Sequence, residues 1–303
     1  MKKGPATPKG FRDIDPPLAR KKREVINMIA SALEEFDFVP LETPIVEFSE
    51  TLSGKYGEEE KLIYKFKDRG GRDLALRYDL TVPLARYVAN NLNLISGKSF
   101  CRYQWGEVFR GENTQKGRYR EFTQFDFDVV GSEDVKDDAK VIASAIDAAR
   151  RLGLARAKMI VNDRRNFSGV PIEVVRIIDK LDKIGVEGIE VELKAKNYSG
   201  DDIEKYKKLM TDSSQKEILG GLFRILKAEY KLQENKDFDF SPSLARGLDY
   251  YTGTVFELKP EGRVDEQSIG GGGRYDNLIG MFAGRAIPAV GFSFGLDRLL
   301  TLL

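Results

Sequence analysis

Residues 102–131 read RYQWGEVFRGENTQKGRYREFTQFDFDVVG, and this stretch decides the fold. Apolar and polar residues alternate before Arg110 and after Arg120, which predicts two antiparallel strands joined by a polar loop at 111–119. Charged side chains crowd both strands, although a half-buried sheet accepts charges only when they are paired or bound to a ligand. The pattern fits either a solvated hairpin or a ligand site, and the cost of burying charge favours the ligand site.

Composition narrows the class of protein. The chain has 303 residues, 41% hydrophobic and 32% charged, which predicts a globular chain forming one large domain with an insertion. A net charge of +1 gives no general attraction for nucleic acid, so RNA would have to bind a local patch. The single cysteine excludes an internal disulfide, and the absence of histidine excludes Ser-His-Asp and Cys-His catalysis. We see neither a signal peptide nor a membrane-length apolar run, and therefore expect a cytoplasmic protein that does not bind membranes.

The segment before the strand pair predicts a helix followed by a strand. Residues 1–10 are basic and rich in proline and glycine, which indicates an irregular arm. Asp15 and the two prolines after it mark the start of a helix that continues to Phe36. The next stretch, 38–46, contains two prolines and predicts a strand near a sheet edge, because proline cannot donate a ladder hydrogen bond.

Two shorter strands and a helix start come next. Residues 61–67 and 74–78 alternate apolar and polar, as strands do, and Thr81 is a candidate helix cap. The carboxylate of Asp79 and the hydroxyl of Thr81 could also accept hydrogen bonds from an ammonium group. Both interpretations of this Asp–Thr pair stay open from the residues alone.

The composition changes in the second half of the chain. After a helix at 135–152, residues 165–236 alternate amphipathic helices with polar turns and contain no strand beyond a possible one at IEVEL, 189–193. We interpret this part as a helical insertion that divides a core made of 1–164 and 237–303. Its many lysines could touch RNA, but such charges usually form a solvated face.

Two glycine-containing stretches follow the insertion. Residues 243–253 read SLARGLDYYTG and precede a strand, whereas residues 270–276 read GGGGRYD and follow a second strand. Four consecutive glycines let a ligand approach the backbone closely, although a flexible turn would use them as well. Residues 290–300, VGFSFGLDRLL, then lead from a strand into a helix that carries Arg298.

These stretches together resemble the three motifs of class II aminoacyl-tRNA synthetases. The long helix with its proline-containing strand is similar to motif 1, the strand pair with FRGE and GRYREF to motif 2, and the GLDR junction to motif 3. RGLDYYTG and GGGGRYDNL resemble the two signatures of the histidyl-tRNA synthetase family. The resemblance implies an α+β fold, with an antiparallel sheet flanked by helices and a helical insertion, and usually a homodimer.

The resemblance also implies a reaction, the activation of L-histidine by ATP followed by transfer to the acceptor end of tRNA(His). Its first step needs alignment and charge neutralisation more than a protein nucleophile. Arg110 is expected to contact the α-phosphate and the substrate carboxylate, Arg298 the distal phosphates, and Arg246 the region of the attacked phosphorus. These three arginines are the expected catalytic residues. The residues expected to bind ATP are Arg110, Glu112, Arg118, Phe122 and Arg298. Mg2+ would be held mainly by the phosphates, without a dedicated protein metal site.

The residues implied for histidine binding are Asp79, Thr81, Arg110, Gln124, Asp128, Arg246, Tyr250, Tyr251 and Tyr275. The first two and Gln124 would take the ammonium group. Asp128 and Tyr251 would face the two imidazole nitrogens, and Tyr250 and Tyr275 would close the pocket. A substrate without both nitrogens would leave buried polar groups unpaired, at about 1–3 kcal/mol each.

Two departures from the family pattern leave alternatives open. The loop sequence ENTQ, 112–115, stands where many bacterial relatives have a basic residue and proline, which affects the expected contacts with the acceptor stem. The sequence ends at Leu303, just after motif 3, where the family normally continues into an anticodon-binding domain, so we expect weak transfer to tRNA. The alternatives are a histidine-sensing regulatory paralogue that binds a short ATP phosphoribosyltransferase, and a pseudo-synthetase interaction domain. Intact Arg110, Arg246 and Arg298 argue against both, because a sensor needs no adenylation arginines.

Overall fold

The computed structural model describes residues 5–114, 118–247, 249–261 and 267–303. Three predicted features lie partly outside these residues, namely the N-terminal arm, the loop between the paired strands and the RGLDYYTG signature. The helices are α1 (Pro16–Glu34), α2 (Ser49–Leu52), α3 (Thr81–Ala89), α4 (Val135–Arg151), α5 (Ile172–Ile178), α6 (Leu181–Ala195), α7 (Gly200–Leu209), α8 (Gly220–Ala228), α9 (Gly280–Ala283) and α10 (Leu296–Leu300). The strands are β1 (Val39–Pro40), β2 (Val46–Phe48), β3 (Lys65–Lys67), β4 (Asp73–Leu76), β5 (Phe100–Phe109), β6 (Glu121–Val130), β7 (Lys158–Asp163), β8 (Phe238–Phe240), β9 (Thr254–Lys259), β10 (Gly270–Arg274) and β11 (Ala289–Gly295).

An eight-stranded sheet, in the order β1-β5-β6-β11-β10-β9-β7-β8, forms the centre of the fold. Neighbouring strands are antiparallel except at its two edges, where β1 pairs with β5 and β7 pairs with β8 in parallel. A smaller antiparallel sheet has the order β2-β4-β3. The predicted α+β fold with a mainly antiparallel sheet flanked by helices is confirmed. Within the described ranges, no helix has the length and apolar character needed to cross a membrane.

The predicted strand pair forms as β5 and β6. Its register sets Trp105 against Phe125 and Tyr103 against Phe127. The rings of Tyr103, Trp105 and Phe125 stack with their centroids 5.7 to 6.3 Å apart. Because successive side chains of a strand point to opposite faces, this aromatic face leaves the intervening polar residues on the other side of the sheet.

Asp15 starts α1 as predicted. Its side chain accepts a hydrogen bond from the Leu18 amide at 3.0 Å, and the two prolines occupy the first turn, where an amide donor is not needed. Val25, Ile29 and Leu33 are at most 2% exposed and pack with α4 against the aromatic face. Full burial of such a side chain contributes about 1.5–3 kcal/mol, so this layer fixes one side of the sheet.

The strand predicted over 38–46 is two separate strands. β1 pairs with β5 at the edge of the large sheet, which confirms the edge position, whereas β2 belongs to the small sheet. Pro40 and Pro44 lie in this stretch, and neither can donate a ladder hydrogen bond. The chain leaves the large sheet after Pro40 and enters the small sheet at Val46.

The next two predicted strands are shorter than expected. Only Lys65–Lys67 of the 61–67 stretch is a strand, because residues 57–62 form a 3-10 helix. β4 ends at Leu76. The carbonyl of the next residue, Arg77, accepts from the Phe109 amide at 3.0 Å, and its guanidinium donates to the carbonyl oxygens of Thr43 and Glu107, at 2.9 and 2.8 Å. Arg77 thus ties the end of the small sheet to β5.

The prediction that Thr81 caps α3 is wrong. Thr81 is already the first helical residue, and Leu80 at the N-cap position makes no side-chain hydrogen bond. The carboxylate of Asp79 accepts from the Val82 amide instead, at 3.0 Å. A carboxylate at a helix N-terminus is favourable both as an acceptor and against the helix dipole.

Residues 165–236, all of them described, contain helices and no strand. The IEVEL segment lies in α6, because Ile189 and Leu193, four residues apart, are buried on one face of that helix. Helices α5, α6 and α7 share an apolar core, whereas α8 packs into the main core through residues such as Leu222 and Leu226. The assignment of this part as an insertion stays a prediction.

The sequence predicted that the four glycines follow a strand. They instead form a strand themselves. β10 runs between β9 and β11 and pairs with both. A Cβ built on Gly271 would lie 2.6 Å from Nη1 of Arg246, so a side chain at this position would displace that arginine. Glycine is therefore needed at this position so that the Arg246 side chain can approach the strand closely. The hydrogen bonds from β9 and β11 hold the glycine strand β10 in place.

Candidate active site

The polar residues of β6 form the floor of a cavity. Gln124, Asp126 and Asp128 lie on the face opposite the stacked rings, and all are 9% exposed or less. β11 sets Ser293 and two glycines directly beside them. A Cβ at Gly291 would lie 1.8 Å from Oδ1 of Asp128, so this glycine allows the carboxylate to lie across the neighbouring strand.

The cavity above this floor has a volume of about 300 Å³. The residues that the sequence analysis assigned to ATP or histidine all line it, namely Asp79, Thr81, Arg110, Glu112, Arg118, Phe122, Gln124, Asp128, Arg246, Tyr250, Tyr251, Tyr275 and Arg298. They come from stretches far apart in the sequence, and the sheet brings them together. Their individual contacts with ligands stay predictions.

Sequence reasoning missed two acidic residues of this cavity. Asp126 lines it and lies between Gln124 and Asp128 with period two, so the alternation of β6 could have revealed it. Asp297 also lines it, and its Oδ2 accepts from the Thr123 amide at 2.7 Å. No pattern in the sequence indicated that contact, which joins α10 to β6.

Two arginines of the cavity have no carboxylate partner in the described part of the chain. The Nε of Arg110 donates to the Tyr78 carbonyl at 3.2 Å, and its guanidinium lies 4.3 and 5.1 Å from the ring centroids of Tyr78 and Phe122. Nη1 of Arg298 donates to the Ser268 carbonyl at 2.6 Å. Guanidinium groups bind phosphate and carboxylate oxygens in pairs, so both side chains are candidates for binding an anion in this cavity.

Arg246 is held differently, by an ion pair in which its Nη1 lies 2.8 Å from Oε1 of Glu257. Burial alone would raise the pKa of Glu257, but Arg246 and Lys259 hold that pKa below its usual range. The backbone of Arg246 has a φ of 39°, in the left-handed region, and Asp179 at the end of α5 accepts from the Gly247 amide that follows. Such a conformation costs a residue with a Cβ about 1–3 kcal/mol and persists where its surroundings enforce it.

The start and the end of the loop between β5 and β6 meet at the cavity. Arg118 pairs with Glu112, with 2.5 Å between Nε and Oε2. The loop residues 115–117 lie outside the described residues. The pair and the ring of Phe122 line the same cavity as Arg110, and their combination of charge and aromatic surface suits a nucleobase next to a phosphate.

A second group of side chains offers acceptors to a cation. Oδ1 of Asp79 accepts from the Val82 amide and from the Tyr56 hydroxyl, at 3.0 and 3.1 Å, and burial raises the pKa of this carboxyl. Gln124 donates through Nε2 to Ser293 at 2.7 Å, whereas its buried Oε1 has no hydrogen-bond partner among the described residues. An unpaired buried acceptor costs about 1–3 kcal/mol, so a donor from a ligand would complete it.

Aromatic rings enclose the remaining end of the cavity. The ring centroid of Tyr250 lies 4.8 Å from that of Tyr251 and 6.0 Å from that of Tyr275. The Tyr275 hydroxyl donates to Oδ1 of Asp128 at 2.5 Å. Walls of tyrosine around a buried carboxylate suit a small planar ring that carries an N–H donor.

Comparison with known proteins identifies the family. The sequence model of the histidyl-tRNA synthetase family matches residues 10–170 and 186–299. The chain belongs to the histidyl-tRNA synthetase family. A relative in this family, the histidine–tRNA ligase of Aeropyrum pernix, is 43% identical over 98% of this chain and 73% of its own length.

Solved structures of the histidyl-tRNA synthetase family share the fold. The crystal structure of histidyl-tRNA synthetase from a Nostoc species superposes with a TM-score of 0.80 at 30% identity, covering 100% of this chain and 76% of that one. A Bacillus halodurans structure, described as an ATP phosphoribosyltransferase regulatory subunit/histidyl-tRNA synthetase, gives a TM-score of 0.78 at 25% identity, covering 98% and 83%. The second description keeps a regulatory role among the functions to be tested.

Proposed function

We propose that this chain activates L-histidine with ATP, forming histidyl-adenylate and pyrophosphate, and transfers the histidyl group to the acceptor end of tRNA(His). The observation that carries the proposal is one cavity in which two arginines, without carboxylate partners among the described residues, line the same space as a buried, tyrosine-walled pocket. Membership of the histidyl-tRNA synthetase family supports the same reaction. The weak transfer expected from the sequence stays a prediction.

The arginines would supply the chemistry at the ATP end. Arg110 would bind the α-phosphate together with the histidine carboxylate, and Arg298 would bind the distal phosphates. The guanidinium of Arg110 lies 5.1 Å from the ring centroid of Phe122, and this ring would stack on adenine beside the Glu112–Arg118 pair. Opposite charges attract each other more strongly inside a protein cavity than in bulk water, so each of these contacts with phosphate would be strengthened.

The reaction needs no protein nucleophile. A carboxylate oxygen of histidine attacks the α-phosphorus, the bond to the oxygen of the leaving pyrophosphate breaks, and the electron pair departs with pyrophosphate. Arg246 would stabilise the charge that develops on the phosphoryl oxygens, because Glu257 and the glycine strand hold its guanidinium over the sheet. Orientation and charge stabilisation would therefore account for the acceleration.

ATP is expected to enter with Mg2+, which would help to neutralise the charge of the phosphates. In the part of the chain that the structure describes, no group of three His, Cys, Asp or Glu side chains is arranged to hold a metal ion. Mg2+ usually keeps several waters and binds through substrate phosphates together with one or two carboxylates, so we propose that ATP would carry the ion into the cavity. Glu112 is the cavity carboxylate nearest in sequence to the phosphate-binding Arg110.

The opposite end of the cavity would select histidine. Asp79, Thr81 and Gln124 would accept hydrogen bonds from the ammonium group. Asp128 and Tyr251 would face the two imidazole nitrogens, with Tyr250 and Tyr275 as walls. An amino acid that lacks either ring nitrogen would leave a buried partner unpaired and lose about 1–3 kcal/mol at each.

A homodimer in the cytoplasm completes the proposal. Exposed apolar side chains, between 39% and 50% accessible, occur on β1, β2, β3 and β5, namely Val39, Val46, Phe48, Phe66 and Trp105. We propose that these side chains contribute to an interface with another chain, since large exposed apolar patches often mark such interfaces. β1, which carries the exposed Val39, belongs to motif 1, and motif 1 is the dimer element of class II synthetases.

A regulatory role is the second candidate, and the description of the Bacillus halodurans structure is the observation that favours it. A histidine sensor needs the tyrosine-walled pocket but has no use for arginines that bind ATP phosphates. The two functions differ in whether ATP is consumed. Histidine-dependent exchange of labelled pyrophosphate into ATP, followed by charging of a tRNA(His) transcript, separates them: a synthetase gives both signals, and a sensor binds histidine but gives neither.

A further inference from the structure

Arg102 is the largest completely buried side chain of the described residues. It lies on β5 directly opposite Asp128 of β6 and is not among the residues that line the cavity. Its Nη2 lies 2.6 Å from Oδ2 of Asp128. Moving two charged groups out of water costs free energy that their mutual attraction often does not recover. Stability alone therefore does not explain this buried pair. Its partner belongs to the proposed imidazole pocket.

The pair leaves hydrogen-bonding capacity unused. Despite the short distance, the angles are poor, and neither Asp128 Oδ2 nor any guanidinium nitrogen of Arg102 has a hydrogen-bond partner among the residues described. Oδ1 of Asp128 is already bound by the Tyr275 hydroxyl. Arg102 therefore supplies charge to the buried Oδ2 side of Asp128, whereas Asp128 itself lines the cavity.

Two buried carboxyls compete for this one guanidinium. Burial raises the pKa of Asp126 to about 7, a shift that Arg102 opposes and Asp128 increases. Burial also raises the pKa of Asp128, which Arg102 and the Tyr275 hydroxyl oppose. The other charged or titratable side chains acting on the two carboxyls are Arg77, Asp79 and Tyr251. Without Arg102, protonation of both carboxyls at neutral pH becomes more favourable.

We propose that Arg102 is a positioning residue for the amino-acid substrate: from beneath the cavity it keeps Asp128 ionised and directed at an imidazole N–H. The inference rests on the proposed function, in which Asp128 faces one ring nitrogen. In this proposal Arg102 touches no substrate atom and affects histidine binding through the charge of Asp128. It therefore affects histidine recognition, and its effect depends on pH.

The test is the substitution Arg102→Met, which keeps a long apolar stem and removes the charge. At pH 7 the Kd for histidine by calorimetry, and the KM for histidine in pyrophosphate exchange, should rise about tenfold or more, the value of a hydrogen bond to a charged group. The KM for ATP should stay within about twofold of the wild-type value. The histidine deficit should shrink when the pH is raised to about 8.5, because Asp128 then ionises without help. Arg102→Lys keeps the charge and should recover most of the affinity.

Arg150→Met is the matched control, because Arg150 also pairs with an aspartate, at 2.5 Å from Asp237, but Asp237 does not line the cavity as Asp128 does. It should lower the melting temperature and leave the Kd for histidine unchanged. If Arg102→Met does not fold, the comparison of Asp126→Asn with the double variant Arg102→Met/Asp126→Asn gives the same contrast with one buried carboxyl fewer.

Two results overturn the inference. One is an equal loss of ATP and histidine affinity in Arg102→Met, and the other is a histidine deficit of the same size at pH 7 and pH 8.5. Either would make Arg102 a structural residue only. If the wild-type chain binds histidine but catalyses no exchange, the proposed function fails, and the calorimetric comparison of the variants still decides the role of Arg102.

Discussion

Replacing Arg246 by alanine should separate catalysis from binding and from stability. The proposed role of its guanidinium is to stabilise charge that develops on the attacked phosphate, so its loss should act on the chemical step. Removing one such donor typically lowers kcat about 100- to 1,000-fold, or about 2.7–4 kcal/mol. We expect a fall of this size in the rate of pyrophosphate exchange, with the KM for histidine changed much less.

The structure also limits the effect of this substitution on stability. Breaking a buried ion pair costs about 3–5 kcal/mol when the remaining charge is left alone. Glu257 is not left alone, because Nζ of Lys259 lies 3.3 Å from its Oε2. Alanine keeps the left-handed backbone strain of Arg246, so that contribution cancels between the two proteins. We therefore expect a loss of about 1–2 kcal/mol in the free energy of unfolding, well below the effect on kcat.

The assay is pyrophosphate exchange at saturating ATP, with thermal unfolding measured on the same samples. Arg246→Lys is the informative companion, because it keeps the charge but loses the planar fork and should recover part of kcat. A loss confined to histidine affinity, with kcat unchanged, would refute the catalytic role. So would a fall in activity that only follows the fraction of unfolded protein.

Three further predictions concern the floor of the cavity. Gly271→Ala should lower kcat for exchange at least about tenfold by displacing Arg246, whereas Gly221→Ala, where an added Cβ meets nothing within 4 Å, should leave activity unchanged; equal activities would show that Arg246 has another place to go. Asp128→Asn should weaken histidine binding about tenfold or more and leave ATP binding unaltered, as calorimetry can show; joint weakening would make Asp128 structural. As the pH rises from 5 to 7, the wild-type free energy of unfolding should fall by at most about 1.4 kcal/mol per pH unit, because the pKa of Asp126 in the folded chain, about 7, lies above its value in the unfolded chain and deprotonation therefore opposes folding. Asp126→Asn should remove this fall. Parallel thermal-unfolding profiles of variant and wild type against pH would contradict the prediction.

The parts of the fold that the sequence predicted correctly have strong local patterns. The alternation of β5 and β6, the cap at Asp15 and the apolar spacing of α4 each involve neighbouring residues, so a single stretch carries the whole signal. The wrong predictions had different causes. Four glycines formed a strand because β9 and β11 lie on either side, and IEVEL formed a helix because its apolar residues are four apart as well as two apart.

The cavity shows the same division. Resemblance to family signatures supplied the residues that line it, and the fold brings them together. Asp126 was overlooked although the period of β6 places it beside Gln124 and Asp128. Arg102 could not be recognised, because its significance depends on the register between two strands and on burial, and neither is visible in a lone arginine at a strand start.

The most direct test of the central claim is exchange of labelled pyrophosphate into ATP by the purified chain, measured with each of the twenty amino acids in turn. The account predicts exchange with histidine and background rates with the other nineteen, because we propose that the cavity binds phosphates through its arginines and reads two ring nitrogens in its tyrosine-walled pocket. Exchange without selectivity would contradict the assignment of the pocket. Calorimetric binding of histidine without any exchange would contradict the proposed reaction and support the regulatory role.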